Sequence, residues 1–224
     1  MSDNHAMNNN MPRSSCRHHR RSRPGTTIVA IAVACAALLS GCASTKSPAP
    51  TSFDFGPVAA PLVATPAAAS FPALVVADVS GPATLETDRM FYRLMYANAQ
   101  QALPYAYNRW AATPLQLLSQ RLKARIAQGG VKVLSTTDAT GGLPVLRLEM
   151  DEFSQNFASA TQSTANISLR ASLFRGHLLV DQRTFTRSAD APSADAAGGA
   201  SALAATSDAI AADLLAWLAT QPPR

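Results

Sequence analysis

Residues 145–151, Val-Leu-Arg-Leu-Glu-Met-Asp, alternate apolar and charged side chains, and this stretch decides the fold class. A period of two puts Leu146, Leu148 and Met150 on one face of an extended strand and Arg147, Glu149 and Asp151 on the other. The strand is expected over residues 145–154. Residues 165–174 repeat the pattern, with Ile167, Leu169, Ala171 and Leu173 facing inward. Arg175-Gly176 then makes a tight turn into a third strand over 178–186, so these last two strands pair as a hairpin.

Upstream, residues 74–79 read as a strand stopped by Ser80-Gly81-Pro82, and 90–96 as a strand rich in aromatics. Thr113-Pro114-Leu115-Gln116 specifies a helix start: Thr113 caps, Pro114 fits the first position and Gln116 completes a capping box. Leu115, Leu118, Leu122 and Ile126 recur at helical spacing until Gly129-Gly130 ends the helix. A short strand over 131–134 follows. Downstream, a final helix is expected from about residue 200 to 219, with Leu203, Ile210, Leu214 and Trp217 as its apolar stripe. The doublets Gly141-Gly142 and Gly198-Gly199 read as loops. The order is strand, strand, helix, four strands, helix. It predicts an α+β two-layer sandwich, a mostly antiparallel sheet with two helices on one face. This domain is expected over residues 71–224, long enough for one core.

Ahead of the domain, residues 28–39 form an uncharged apolar run, too short for a membrane span of about 20 residues but suited to a signal-peptide core. The run closes as Leu39-Ser40-Gly41-Cys42, the lipobox pattern in which the cysteine receives the lipid. Arg13, Arg17, Arg20, Arg21 and Arg23 supply the positive region before it. Residues 1–41 are therefore expected to be leader, with Cys42 lipidated. Anchoring by more than one acyl chain suits stable membrane attachment. Ala43, where Asp would retain the protein at the inner membrane, favours the outer membrane, on its periplasmic side. Residues 42–70, with Pro48, Pro50, Pro57, Pro61 and Pro66, read as an extended tether without its own core. Phe53 and Phe55 interrupt it, and this aromatic pair is expected to dock on the domain.

The leader also carries the misleading chemistry. The chain holds 19 Lys+Arg against 14 Asp+Glu, a formal +5. Without the five leader arginines and Asp3, 14 basic and 13 acidic residues remain, so the basic pI implies no nucleic-acid partner. Cys16, Cys35, His5, His18 and His19 leave as well. Only Cys42 and His177 stay, which excludes a cysteine nucleophile and a zinc site built on several His or Cys.

Catalysis finds little support. Glu149 and Asp151 share a strand face and could act as an acid/base pair, but a solvated face balanced by Arg147 is the favoured reading. No nucleophile elbow, dinucleotide fingerprint or phosphate loop is present, so neither enzyme activity nor a cofactor is expected. The stretch from Phe91 to Trp110 stands apart. It holds all four tyrosines and one of the two tryptophans, interleaved with Arg93 and Arg109. That is the composition of interface hot spots. Tyr92, Arg93, Tyr96, Tyr105, Arg109 and Trp110 are the candidate partner-binding residues. A core role, with Phe91 and Trp110 inside and the tyrosines at the edge, is compatible with it.

At these residues the chain resembles the ABC-type transport auxiliary lipoproteins, the family of the PqiC-like intermembrane-transport component. The resemblance rests on Phe53-Asp54-Phe55-Gly56-Pro57, Ala77-Asp78-Val79, Asp88 to Leu94, a tyrosine-bearing loop at Tyr105, Arg109-Trp110-Ala111 and the Pro114 helix with Gln120-Arg121-Leu122. It implies a periplasmic, non-enzymatic α+β domain. The implied partners are an MCE-domain protein with an ABC permease and an ATPase, which move lipids between membranes. Arg93, Tyr105, Arg109 and Trp110 match positions that typify the family. A homo-oligomer matching a symmetric partner is a further expectation. A lipid-binding carrier module and a generic envelope lipoprotein are the alternatives.

Overall fold

The computed structural model describes residues 49–59, 71–138 and 141–222. The leader, the lipobox with Cys42 and most of the proposed tether lie outside them. In chain order the elements are β1 (Thr51–Phe53), β2 (Ala73–Val76), β3 (Arg89–Leu94), β4 (Asn98–Trp110), α1 (Pro114–Gln128), β5 (Lys132–Leu134), β6 (Val145–Ser159), β7 (Gln162–Arg175), β8 (Leu178–Asp190) and α2 (Ala196–Ala219). A single 3-10 turn covers Ala83–Leu85.

The sheet has eight strands organised around β6. One edge of β6 carries the long antiparallel ladder to β7, which continues antiparallel to β8. The other edge is shared. β2 lies parallel to its start, at Val75↔Val145, and β3 lies parallel to its end, at Tyr92↔Gln155. β4 folds back antiparallel on β3, and β1 adds three parallel residues to β4. The fold class is the α+β arrangement expected: a mixed sheet, mostly antiparallel by ladder length, with two helices packed against it.

The alternation that predicted β6 holds as far as Met150 and then changes phase. Leu146, Leu148 and Met150 are buried, but a bulge at Asp151 shifts the register, and Gln155 and Phe157 become the buried positions. The bulge lets β6 run five residues past its expected end at 154. β7 keeps strict alternation, burying Ala165, Ile167, Leu169, Ala171 and Leu173.

Helix α1 starts as the sequence dictates. Thr113 Oγ1 accepts from the Gln116 amide, and Gln116 Oε1 accepts from the Thr113 amide. Helix α2 begins four residues earlier than expected, at Ala196, because Asp195 caps it by accepting from the Gly198 amide. The doublet Gly198-Gly199 is therefore helical rather than a loop. A Cβ on Gly198 would lie 2.0 Å from the Ser193 carbonyl oxygen, and one on Gly199 2.0 Å from Gln155 Oε1. Close approach explains both glycines. α2 is long and apolar enough to cross a bilayer, yet it is a core helix: Leu203, Ile210, Leu214 and Trp217 are buried.

Two strands escaped the sequence reading. β1 lies within the stretch read as tether, and Phe55 just beyond it enters the core. The aromatic pair thus docks on the domain as expected, and it does so as part of the sheet. β4 covers the segment read as a tyrosine-bearing loop, so Tyr105 is a strand residue. Pro104 and irregular register with β3 hide the strand's period of two.

Candidate functional site

The six candidate partner-binding residues separate into three environments. Trp110 is interior, 3% exposed. Its ring meets Phe55 edge-on at 5.7 Å and Phe153 at 5.8 Å. The three rings close the junction of β1, β4 and β6, and the Ala111 amide donates to the Phe53 carbonyl beside them. The core role holds for Trp110. Phe91, expected beside it in the core, is instead half-buried.

Tyr92 and Tyr105 form a second aromatic group, with ring centroids 4.6 Å apart and Phe157 5.5 Å from Tyr92. The Tyr105 hydroxyl donates to Gln155 Oε1 at 3.0 Å. Gln155, only 1% exposed, uses its amide nitrogen to donate to Ser163 Oγ and to the Asp195 carbonyl, each at 2.9 Å. One buried glutamine thus joins β4, β6, β7 and the cap of α2. Burial, reinforced by Tyr92 and Asp195 nearby, pushes the Tyr105 phenol well above its ordinary range, so it remains a donor. No sequence signal singles out Gln155, because the bulge at Asp151 is what turns it inward.

Arg93, Arg109 and Tyr96 lie nearer solvent. Arg93 Nη1 donates to the Ala99 carbonyl across the β3–β4 hairpin. Arg109 pairs with exposed Asp88 at 3.3 Å. Tyr96 is 55% exposed and Met95 beside it 47%, at the hairpin tip. Along the flank of β3, Phe91, Tyr92 and Arg93 with Leu85, Ala102 and Phe153 line a groove of about 110 Å³. The structure therefore brings Tyr92 and Arg93 to one groove, sets Tyr96 at the tip and leaves Trp110 out of reach.

The remaining charged groups serve the fold. Glu149 and Asp151 both pair with Arg170 at 3.1 Å, so the balancing cation is Arg170 and not Arg147, whose guanidinium stacks 4.7 Å from the Phe174 ring centroid. Among the described residues no group of three His, Cys, Asp or Glu is placed to hold a metal ion. Asp208 of α2 accepts from both Arg121 and Arg125 of α1, at 2.6 to 2.8 Å. Burial works against ionisation of Asp208, but the bonds from Arg125 and Arg121 outweigh it and hold the carboxyl below its usual range. The spare nitrogens of the two arginines donate to the Gly56 and Ala59 carbonyls, clamping the segment after β1 onto the helices.

Comparison with known proteins bears on this arrangement. No curated protein matches the chain in sequence. Among solved structures it is similar to protein XCC0632 from Xanthomonas campestris, of the family DUF330. That match has 22% identity and a TM-score of 0.58, covering 77% of this chain and 94% of that one. An uncharacterized protein superposes with a TM-score of 0.59 at 17% identity, covering 76% and 99%. At these identities the two structures speak to the fold. The family model of the ABC-type transport auxiliary lipoprotein component matches residues 53–214, from the last residue of β1 into the last third of α2. The chain belongs to the ABC-type transport auxiliary lipoprotein component family, and is accordingly a membrane-anchored envelope lipoprotein that assists an ABC transporter.

Proposed function

We propose that this protein is held at the outer membrane by lipidation of Cys42 and docks on the MCE-domain partner of an ABC-type lipid transporter. The domain acts as a binding module and performs no chemistry. The observation that supports this reading is the β3 groove: aromatic side chains and the Arg93 guanidinium stand half-exposed on a flank of the sheet. Aromatic and arginine side chains in such a setting are typical interface anchors. Phe91, Tyr92 and Arg93 are the docking residues in this proposal. Tyr105 and Trp110 hold the surface in shape from behind, and Arg109 fixes the loop at Asp88.

Co-purification of the full-length lipoprotein with the proposed MCE-domain partner tests the proposal. Phe91→Ala combined with Arg93→Glu is expected to abolish recovery of the partner while leaving the melting temperature within a few degrees of wild type. Undiminished recovery would overturn the assignment of the groove.

A further inference from the structure

The direction of β1 sets the end of the sheet from which the chain enters the domain. β1 runs parallel to β4, with Thr51 opposite Asn108. Moving upstream from Thr51 therefore means moving along β4 from Asn108 toward Asn98, where the β3–β4 hairpin turns. Nine chain steps lead from Cys42 to Thr51, an extended reach of about 28 Å at roughly 3.1 Å per residue. The ten steps of β4 from Asn108 back to Asn98 span about 34 Å. The greatest length of chain between Cys42 and Thr51 is thus comparable to the distance from Asn108 to the hairpin tip.

That tip carries Met95 and Tyr96, two of the five exposed large apolar side chains among the described residues. No Asp or Glu occurs in sequence between Asp88 and Asp138, and at this end of the sheet exposed Asp190 stands on β8, opposite Thr164. The parallel pairing of Leu94 with Phe157 places the β6–β7 turn at the same end of the sheet, and its residues 158–163 are uncharged. The β7–β8 turn, with exposed Leu178 and Leu179, belongs to the opposite end of β7 and so to the far end of the sheet. An apolar thioether beside a phenol suits the boundary between acyl chains and headgroups, where tyrosine is enriched.

We infer that the β3–β4 hairpin tip is a membrane contact, with Met95 and Tyr96 seated in the headgroup layer of the bilayer that holds the Cys42 acyl chains. This rests on the lipidation of Cys42 proposed above. It orients the domain with the 95–97 and 158–163 turns down and the β7–β8 turn pointing into the periplasm. It also separates Tyr96 from the docking role, which stays with the β3 groove.

The test uses the full-length lipidated protein in vesicles of phosphatidylethanolamine and phosphatidylglycerol with brominated acyl chains. Tyr96→Trp adds a reporter at the tip, Leu179→Trp one at the far end, and both natural tryptophans are buried. After flotation of the vesicles, the added Tyr96→Trp emission should fall by roughly half through contact with the brominated chains, and that of Leu179→Trp should be unchanged. Met95→Trp serves if Tyr96→Trp does not fold. Protein that floats but shows no quenching at the tip, or quenching at Leu179→Trp instead, overturns the membrane contact alone. Protein that fails to float overturns the anchor and this inference with it.

Discussion

The Tyr105 hydroxyl reaches 3.0 Å across the sheet to Oε1 of Gln155, a side chain sealed from solvent that also donates to the Asp195 carbonyl at the cap of α2. The glutamine has its two donor bonds on Ser163 and Asp195, so Tyr105 supplies the donor for its oxygen. Tyr105→Phe leaves a buried carbonyl short of a donor, at a cost of about 1–3 kcal/mol. Chemical denaturation should read that loss. Recovery of the proposed MCE-domain partner should persist at temperatures where the variant stays folded.

The glycines of the α2 cap are expected to rank by what they press against. Gly198→Ala drives a methyl into the backbone carbonyl of Ser193, which cannot swing away. Gly199→Ala meets the end of the Gln155 side chain, which can turn aside if its hydrogen bonds are given up. Gly198→Ala should therefore lower the melting temperature more than Gly199→Ala, and calorimetry of both variants checks the order.

Trp110→Ala should act as a core deletion. Removing the ring that meets Phe55 and Phe153 is expected to cost about 3–5 kcal/mol and to detach β1 from the sheet edge. Amide exchange in residues 51–56 should accelerate before the rest of the domain is affected. A stable, folded variant that had lost only partner binding would contradict the interior placement of Trp110.

Asp208 neutralised to Asn leaves Arg121, almost fully buried, and Arg125 without their shared anion. Breaking a fully buried pair costs about 3–5 kcal/mol, and the partial exposure of Asp208 reduces the expectation to about 2–3. Denaturant midpoints measure it. Proteolysis should also cut more readily near residues 56–59, whose carbonyls the two arginines hold.

Acid sensitivity follows from the same group and three others. The Trp217 indole N–H and then the Gln182 amide hold the Asp181 carboxyl below its usual range. The Gly198 amide and the Ser193 hydroxyl do so for Asp195, and Arg187 for Asp213. With all four lowered, the unfolded chain takes up protons first, near its ordinary value of about 3.9. Stability should be level above about pH 5 and fall as pH drops through the lowered native values. Urea midpoints from pH 7 to pH 3 test this, and Asp208→Asn should flatten the acid limb.

The alternation in β7 and in the first half of β6, the capping box of α1 and the apolar stripe of α2 are local patterns. Each reads directly from spacing, because one face of a single element meets the core. β4 was not legible: Pro104 and an irregular register erase the alternation of its hairpin with β3, and its other partner, β1, lies far away in sequence. The lead of α2 by four residues was equally hidden, since Gly198 and Gly199 look like a loop until Ser193 and Gln155 are found against them.

The candidate site shows the same division. Composition alone concentrated the tyrosines, Trp110 and the two arginines into one window and directed attention to it. It could not sort them, because exposure depends on what crosses over each side chain. By itself the sequence determined the fold class, the family and the expectation of a lipid anchor, all carried by contiguous motifs. Only the tertiary structure decided that Trp110 is interior, that Gln155 organises the core, and that β1 lies parallel to β4. Those outcomes depend on a bulge, a parallel pairing and close helix–strand contacts, which bring together residues 40 to 60 positions apart.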